Sequence, residues 1–223
     1  FKVFFTQKNK LRQKLAQGQR VIGTGIQSAS PHMVEAAAYS GIDFLRIDTE
    51  HNWRQDDSLD HMIRAAHVAG VTPIVRLDRD NHLLVRKALE VGAGGIIVTH
   101  VSDAAYAREV VAAAKFPPYG KRGISNLCQA GAWSATPIDE YMNWSNTEPM
   151  IGVMIESAQA VENVEEIMAV EGLDFVLFGP GDLSLSYGLP PAFDHDVVQK
   201  ALERTVAAAS ANNKHVMLGV PQS

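Results

Sequence analysis

The chain has 223 residues, 46% hydrophobic and 20% charged, with a formal net charge of −5 from 20 basic and 25 acidic side chains. This is ordinary composition for one large domain or two small ones, and it lacks the basic excess that would make nucleic acid a main partner. The lone cysteine, Cys128, excludes an intramolecular disulfide and a cysteine-based zinc site and fits a reducing compartment.

No apolar run approaches the ~18 residues of a membrane span. The first residues carry Lys2, Lys8, Lys10, Arg12 and Lys14 and lack a signal-peptide apolar core. A cytoplasmic protein with no membrane partner is expected.

Val21–Ile26 is a strand. Pro31–Tyr39 is a helix with Ser30 as N-cap and proline in its first turn. Ile42–Asp48 is a strand. Ser58–Ala69 is a helix with Leu59, Met62, Ile63 and Ala66 on one stripe, closed by Gly70. Thr72–Arg76 is a strand, Leu83–Val91 a helix closed by Gly92, Gly95–Thr99 a strand and Ala104–Ala114 a helix. The rhythm then breaks over residues 115–149, a long loop or insert with a short helix near Ile138–Trp144. Tyr119 and Trp133 in it have two roles open to them, lining the pocket or packing, and packing is the expectation. Met150–Ile155, Asp174–Phe178 and His215–Leu218 are further strands, separated by helices at Ala158–Met168 and Val197–Ala211.

Strands alternating with helices imply an α/β protein with a parallel sheet. The choice lies between an open doubly wound sheet and a closed barrel. No Gly-x-Gly-x-x-Gly follows the first strand, which weakens the dinucleotide-binding reading. A closed barrel needs ~250 residues, so the expectation is a single (β/α) barrel domain over residues 1–223 that lacks its final β/α unit.

In such folds the chemistry sits just past the strands. There the chain places Ile47-Asp48-Thr49-Glu50-His51, Ile74-Val75-Arg76, Met154-Ile155-Glu156 and Gly179-Pro180-Gly181-Asp182. Taken singly, each polar residue has a structural role open to it: His51 as a surface or capping residue, Arg76 as an ion-pair partner, Glu156 and Asp182 as caps or solvated acids. Arg46 and Asp48 share a strand face by period two and form a candidate interior pair. Asp48 is alternatively an acceptor for the second nitrogen of His51. Taken jointly, two carboxylates at neighbouring strand ends suit a hard divalent cation, Mg²⁺ or Mn²⁺ with Co²⁺ as a further option. Arg76 suits a developing enolate oxygen, and His51 suits proton transfer near neutral pH. Free N–H groups at Gly181 and Asp182 suit a carboxylate. Together these parts fit a 2-oxo acid and C–C bond chemistry through an enolate.

The same segments, with Gly41-Ile42-Asp43-Phe44, Pro73-Ile74-Val75-Arg76, Val91-Gly92-Ala93, Phe116-Pro117-Pro118-Tyr119-Gly120-Lys121-Arg122-Gly123 and Phe178-Gly179-Pro180-Gly181-Asp182-Leu183-Ser184, make the chain resemble the HpcH/HpaI aldolase family of metal-dependent class II pyruvate aldolases. The resemblance runs from about Leu15 to the C-terminus. It implies a (β/α)8 TIM barrel in a homo-oligomer, a hexamer built as a trimer of dimers. It implies reversible cleavage of a 4-hydroxy-2-oxo acid to pyruvate and an aldehyde. By this resemblance His51 is the general base, Arg76 the enolate stabiliser and substrate contact, and Glu156 and Asp182 the metal ligands. Gly181 and Asp182 are the backbone contacts to the pyruvate carboxylate, and Glu90 is the acid that raises the basicity of the histidine. The chain departs from the family pattern at Met154, a substrate-side position where many members have Gln, at Thr99-His100, and over Ser125–Ser134. Two other readings share the site: a condensing or decarboxylating enzyme that uses oxaloacetate as enolate donor, and a barrel that binds without turnover.

Overall fold

The computed structural model describes residues 8–51, 58–79 and 82–219. The elements in chain order are α1 (Lys10–Ala16), β1 (Gly23–Ile26), α2 (Pro31–Ala38), β2 (Phe44–Asp48), α3 (Ser58–Val68), β3 (Thr72–Leu77), α4 (His82–Glu90), β4 (Gly95–Val98) and α5 (Ala104–Ala114). They continue with α6 (Ile138–Thr147), β5 (Met150–Ile155), α7 (Ala158–Glu162), α8 (Val164–Met168), β6 (Phe175–Phe178), α9 (Pro180–Ser186), α10 (Asp196–Ala211) and β7 (His215–Leu218). The strands follow one another in chain order in a sheet, and every described register is parallel. The expected α/β class with a parallel sheet is therefore observed. No described helix is long and apolar enough to cross a membrane.

The chain divides into two compact units. One comprises Phe1–Ile96 with Ala113–Met150, the other Ile97–Ala112 with Ile151–Ser223. In the first, β2 and β3 bury Leu45, Ile47, Ile74 and Val75 almost completely. The stripe read from the sequence of α3 supplies Leu59, Met62, Ile63 and Ala66, all buried. Each large aliphatic side chain so buried contributes about 1.5–3 kcal/mol. In the second unit, β5 and β6 are buried at every position, as parallel strands covered on both faces must be. Val164, Ile167 and Met168 of α8 pack there too.

Helix ends follow the local chemistry. The Ser30 hydroxyl accepts from the Met33 N–H at 3.4 Å. Gly70 and Gly92 close α3 and α4 with φ of 80° and 94°, values that favour glycine. The helix expected over Ala158–Met168 is two helices, interrupted at Asn163, whose side-chain amide donates to the Ser102 carbonyl at 2.9 Å. Two helices lie outside the expected set. In α1, Asn9 caps the N-terminus and its amide donates to the Gly94 carbonyl at 2.6 Å. In α9, Pro180 stands at the first helical position.

The two units carry one device twice. Gly41-Ile42-Asp43-Phe44 leads into β2 and Gly172-Leu173-Asp174-Phe175 into β6. In each, the aspartate carboxylate accepts a backbone N–H of the neighbouring strand segment, from Ile22 and Ile151 respectively, at 2.8 Å. A side chain thus extends the parallel pairing one step before the strand begins. Burial works against the Asp43 charge. The hydrogen bond from Lys14, the Ile22 N–H and the Lys14 charge outweigh it and hold the carboxyl below its usual range.

Residues 115–149 build their own small core. Phe116, Ala130, Tyr141 and Trp144 are buried together. The Arg122 guanidinium lies 4.6 Å above the Phe116 ring and donates to the Tyr141 hydroxyl at 2.9 Å. The packing expected of Tyr119 and Trp133 is not observed: they are 63% and 68% exposed. Trp133 is the middle of three consecutive left-handed residues, Ala132 to Ser134, and this backbone turns its ring outward.

Candidate active site

In the first unit the site begins with strand register. Asp48 ends β2 and is the Cα partner of Arg76 on β3, so two opposite charges emerge side by side. Asp48 Oδ2 lies 3.1 Å from Arg76 Nη1, and both side chains are buried. The other oxygen, Oδ1, accepts the backbone N–H groups of Glu50 at 3.1 Å and His51 at 3.3 Å. This is the local turn that aspartate favours. One carboxylate therefore aims the guanidinium and folds the segment that delivers His51. Asp48 orients His51 through the backbone amide, and its ion-pair partner is Arg76. Thr49 fastens the turn to β3, its N–H and hydroxyl donating to the Arg76 carbonyl at 3.1 and 2.5 Å.

The Arg76 guanidinium also pairs with Glu50 and lies 3.3 Å from His51 Nε2 through Nη2. An arginine N–H can only donate, so this contact is a hydrogen bond in the tautomer that leaves the lone pair on Nε2. Glu50 Oε2 lies 3.5 Å from the same nitrogen. A proton arriving at Nε2 would break the arginine contact and be compensated by Glu50. The His51 side chain is 54% exposed, while those of Arg76 and Glu50 are nearly enclosed. The histidine can reach a ligand from a fixed, charged floor. Arg46, on the same face as Asp48, completes the floor. Burial and the Arg76 charge hold its pKa below the usual value, and the Asp48 and Glu50 charges offset only part of that. Glu50 stood unassigned inside the sequence motif; its role shows only once register and turn bring it to Arg76.

Glu90, the last residue of α4, lies 3.8 Å from Arg86 Nε, and its backbone carbonyl accepts from Ala130 at 2.9 Å. The carboxylate found at His51 Nε2 is that of Glu50.

In the second unit, Glu156 follows β5 and Gly179 follows β6, level with one another because Ile155 pairs with Phe178. Glu156 is only 3% exposed. Oε1 accepts the His100 N–H at 2.6 Å and lies 3.3 Å from His100 Nδ1. A Cβ added at Gly179 would stand 2.4 Å from Met154 Cε and 2.8 Å from Glu156 Cβ. The absence of a side chain there makes room for both. Met154 is thus buried against Gly179. Gly181 and Asp182 lie in the first turn of α9, before its first backbone bond from Leu183 to Gly179 at 3.1 Å. Their N–H groups belong to the unpaired helix start. Asp182 is exposed. Glu156 and Asp182 are hard oxygen donors, one buried and one open, which fits a hard divalent cation that also takes water and substrate oxygens.

Comparison with known proteins settles the family. The family model described as HpcH/HpaI aldolase/citrate lyase matches residues 22–220. The chain belongs to this family. The 2-keto-3-deoxy-L-rhamnonate aldolase of Klebsiella pneumoniae subsp. pneumoniae is 35% identical over 207 residues, 92% of this chain and 77% of that protein. The crystal structure of an HpcH/HpaI aldolase from Desulfitobacterium hafniense DCB-2 superposes with a TM-score of 0.89 at 31% identity, covering 96% of this chain and 82% of that one. The citrate synthase SbnG superposes with a TM-score of 0.88 at 33% identity, covering 97% and 83%. The fold is thus that of this TIM-like α/β family. The family comprises metal-dependent aldolases and lyases, and this chain is a class II aldolase.

Proposed function

We propose that the enzyme cleaves a 4-hydroxy-2-oxo acid reversibly to pyruvate and an aldehyde. The observation that supports this most directly is the constellation of Asp48, Glu50, His51 and Arg76: a buried, fixed guanidinium 3.3 Å from Nε2 of an exposed imidazole. Such a pair can stabilise an oxyanion and accept a proton in one step.

In the cleavage direction His51 Nε2 takes the proton of the 4-hydroxyl. The C3–C4 bond breaks, its electron pair forms the enolate of the pyruvate half, and the aldehyde departs. Arg76 supplies the positive charge for the developing enolate oxygen. Glu50 balances the imidazolium until the proton returns to C3 of the enolate. Glu156 and Asp182 would hold the divalent cation, Mg²⁺ or Mn²⁺, which when bound supplies Lewis-acid polarisation of the 2-oxo group. The backbone N–H groups of Gly181 and Asp182 would receive the substrate carboxylate, with Met154 as an apolar contact beside it. Glu90 is assigned to the long-range electrostatics that support His51. The reading includes a (β/α)8 barrel, a cytoplasmic location and a homo-oligomer, the hexamer implied by the family resemblance.

The test is pyruvate release from a panel of 4-hydroxy-2-oxo acids with Mg²⁺ or Mn²⁺, and again with EDTA. Metal-dependent pyruvate that Glu156→Ala abolishes is expected. No pyruvate from a metal-loaded, full-length sample would overturn the reading. A second reading draws on the likeness to the citrate synthase SbnG at 33% identity: the same enolate formed from oxaloacetate and condensed with an acceptor. Product analysis with added acceptors separates the two.

A further inference from the structure

We propose that His100 is a positioning residue for Glu156 and, through it, for the divalent cation; the inference rests on Glu156 being a metal ligand.

A glutamate that binds a cation through one oxygen retains a free rotation about Cγ–Cδ. Unless the other oxygen is held, each rotation swings the ligand away from the ion. Here Oε1 is held by one residue acting twice. The His100 backbone N–H donates to it at 2.6 Å, and His100 Nδ1 lies 3.3 Å from the same atom. A carboxylate only accepts, so this contact is a hydrogen bond in the tautomer that carries the ring proton on Nδ1. The donors bracket one oxygen and set the plane of the carboxylate.

The backbone is shaped for this. His100 follows β4 with φ of 54°, in the left-handed region, which histidine adopts more readily than most side chains. Thr99, its neighbour, is fully buried. The imidazole is half exposed, whereas the carboxylate it touches is 2% exposed, so the contact is made at the mouth of a buried acid. The stem of Glu156 is confined independently, since its Cβ lies 2.8 Å from where a Cβ on Gly179 would stand. Head and stem are both set, and Oε1 is committed to His100.

The test is Mn²⁺ affinity of the metal-stripped protein, read by the electron paramagnetic resonance of free Mn²⁺ and by calorimetry, with no substrate and no turnover. His100→Gly keeps the left-handed backbone and the N–H but removes the ring. It should weaken Mn²⁺ binding about 10- to 100-fold, the usual consequence of losing a partner behind a metal ligand. His100→Asn places an amide N–H near the position of Nδ1 and tolerates the same backbone. It should bind within about threefold of the wild type, on the same scale. Glu156→Gln serves as the reference and should lose binding. If His100→Gly binds like the wild type while Glu156→Gln does not, His100 does not position the ligand. If both histidine variants weaken equally, the Nδ1 contact is not the device. If Glu156→Gln also binds normally, Glu156 is not a ligand, and the proposal falls with the site assignment beneath it.

Discussion

Asp48 and Arg76 are partners in the register of β2 and β3, and their side chains meet 3.1 Å apart in a buried pair. The pairing makes the orientation of the guanidinium a property of the sheet. The same carboxylate caps the turn that carries His51, so one residue sets both groups of the proposed proton-and-enolate chemistry. Asp48→Asn leaves Arg76 with one fewer counter-charge in a buried place. A loss of about 3 kcal/mol is expected, the low end for breaking a buried pair because Glu50 remains. Thermal denaturation checks this; an unchanged midpoint would show that the pair is not structural.

Arg76→Lys keeps a positive charge and removes the planar fork that spans Asp48, Glu50 and His51. The expected result is a stable protein with kcat for pyruvate release reduced about 10²- to 10³-fold, the cost of losing an oxyanion donor. A rate within tenfold of wild type would remove Arg76 from the enolate role.

His51→Ala should lose aldol turnover and retain Mn²⁺ binding, because the proposed metal ligands lie on other segments. Parallel titrations of activity and metal affinity separate the two properties. Loss of both would mean that His51 holds the site together instead of moving a proton.

Gly179→Ala places a methyl group 2.4 Å from Met154 Cε and 2.8 Å from Glu156 Cβ. Overpacking of this kind costs about 1–3 kcal/mol. Shortening Met154 to Ala in the same chain should recover part of the stability, since Cε is the mobile end of a flexible side chain. The contact with Glu156 stays, so Mn²⁺ affinity should remain reduced in the double variant. Equal affinity in the wild type and the double variant would show that Gly179 does not confine Glu156.

His67 gives a pH prediction whose sign is fixed by its surroundings. Burial lowers its pKa, and the 2.7 Å contact with the Gly92 carbonyl offsets only part of that. The folded chain therefore binds this proton less readily than the unfolded chain, whose histidine titrates near 6.5. The contribution is fully present above that pH and is lost as pH falls through the lowered folded value. Melting midpoints of wild type and His67→Gln between pH 7 and 5 should converge on acidification. Parallel curves would contradict the burial argument.

Much of this was legible in the residues, for local reasons. The α3 stripe, the Ser30 cap and the Gly70 and Gly92 closures are nearest-neighbour chemistry, and each appears where the sequence places it. The strand ends carrying His51, Arg76 and Glu156 follow from the alternation of elements. What was not legible depends on distance. Glu50 has no signal until register and turn bring it to Arg76. The helix at Lys10–Ala16 is anchored by Asn9 to the Gly94 carbonyl, a partner 85 residues away. The repeated Gly-Ile-Asp-Phe and Gly-Leu-Asp-Phe segments were in plain view, yet their shared N–H contacts become evident only in the sheet. Tyr119 and Trp133 show the opposite failure: aromatic residues read as packing lie on the surface, and Phe116, Tyr141 and Trp144 fill the core.

Formation of a pyruvate enolate at these residues needs no aldehyde, so it is followed by incubating pyruvate with the enzyme and Mg²⁺ in D₂O and recording the methyl signal by proton NMR. Metal-dependent deuterium incorporation at C3, abolished by EDTA and strongly reduced in Arg76→Ala and Glu156→Ala, is the predicted result. No exchange by the metal-loaded wild type, or exchange at wild-type rate in both variants, would contradict it.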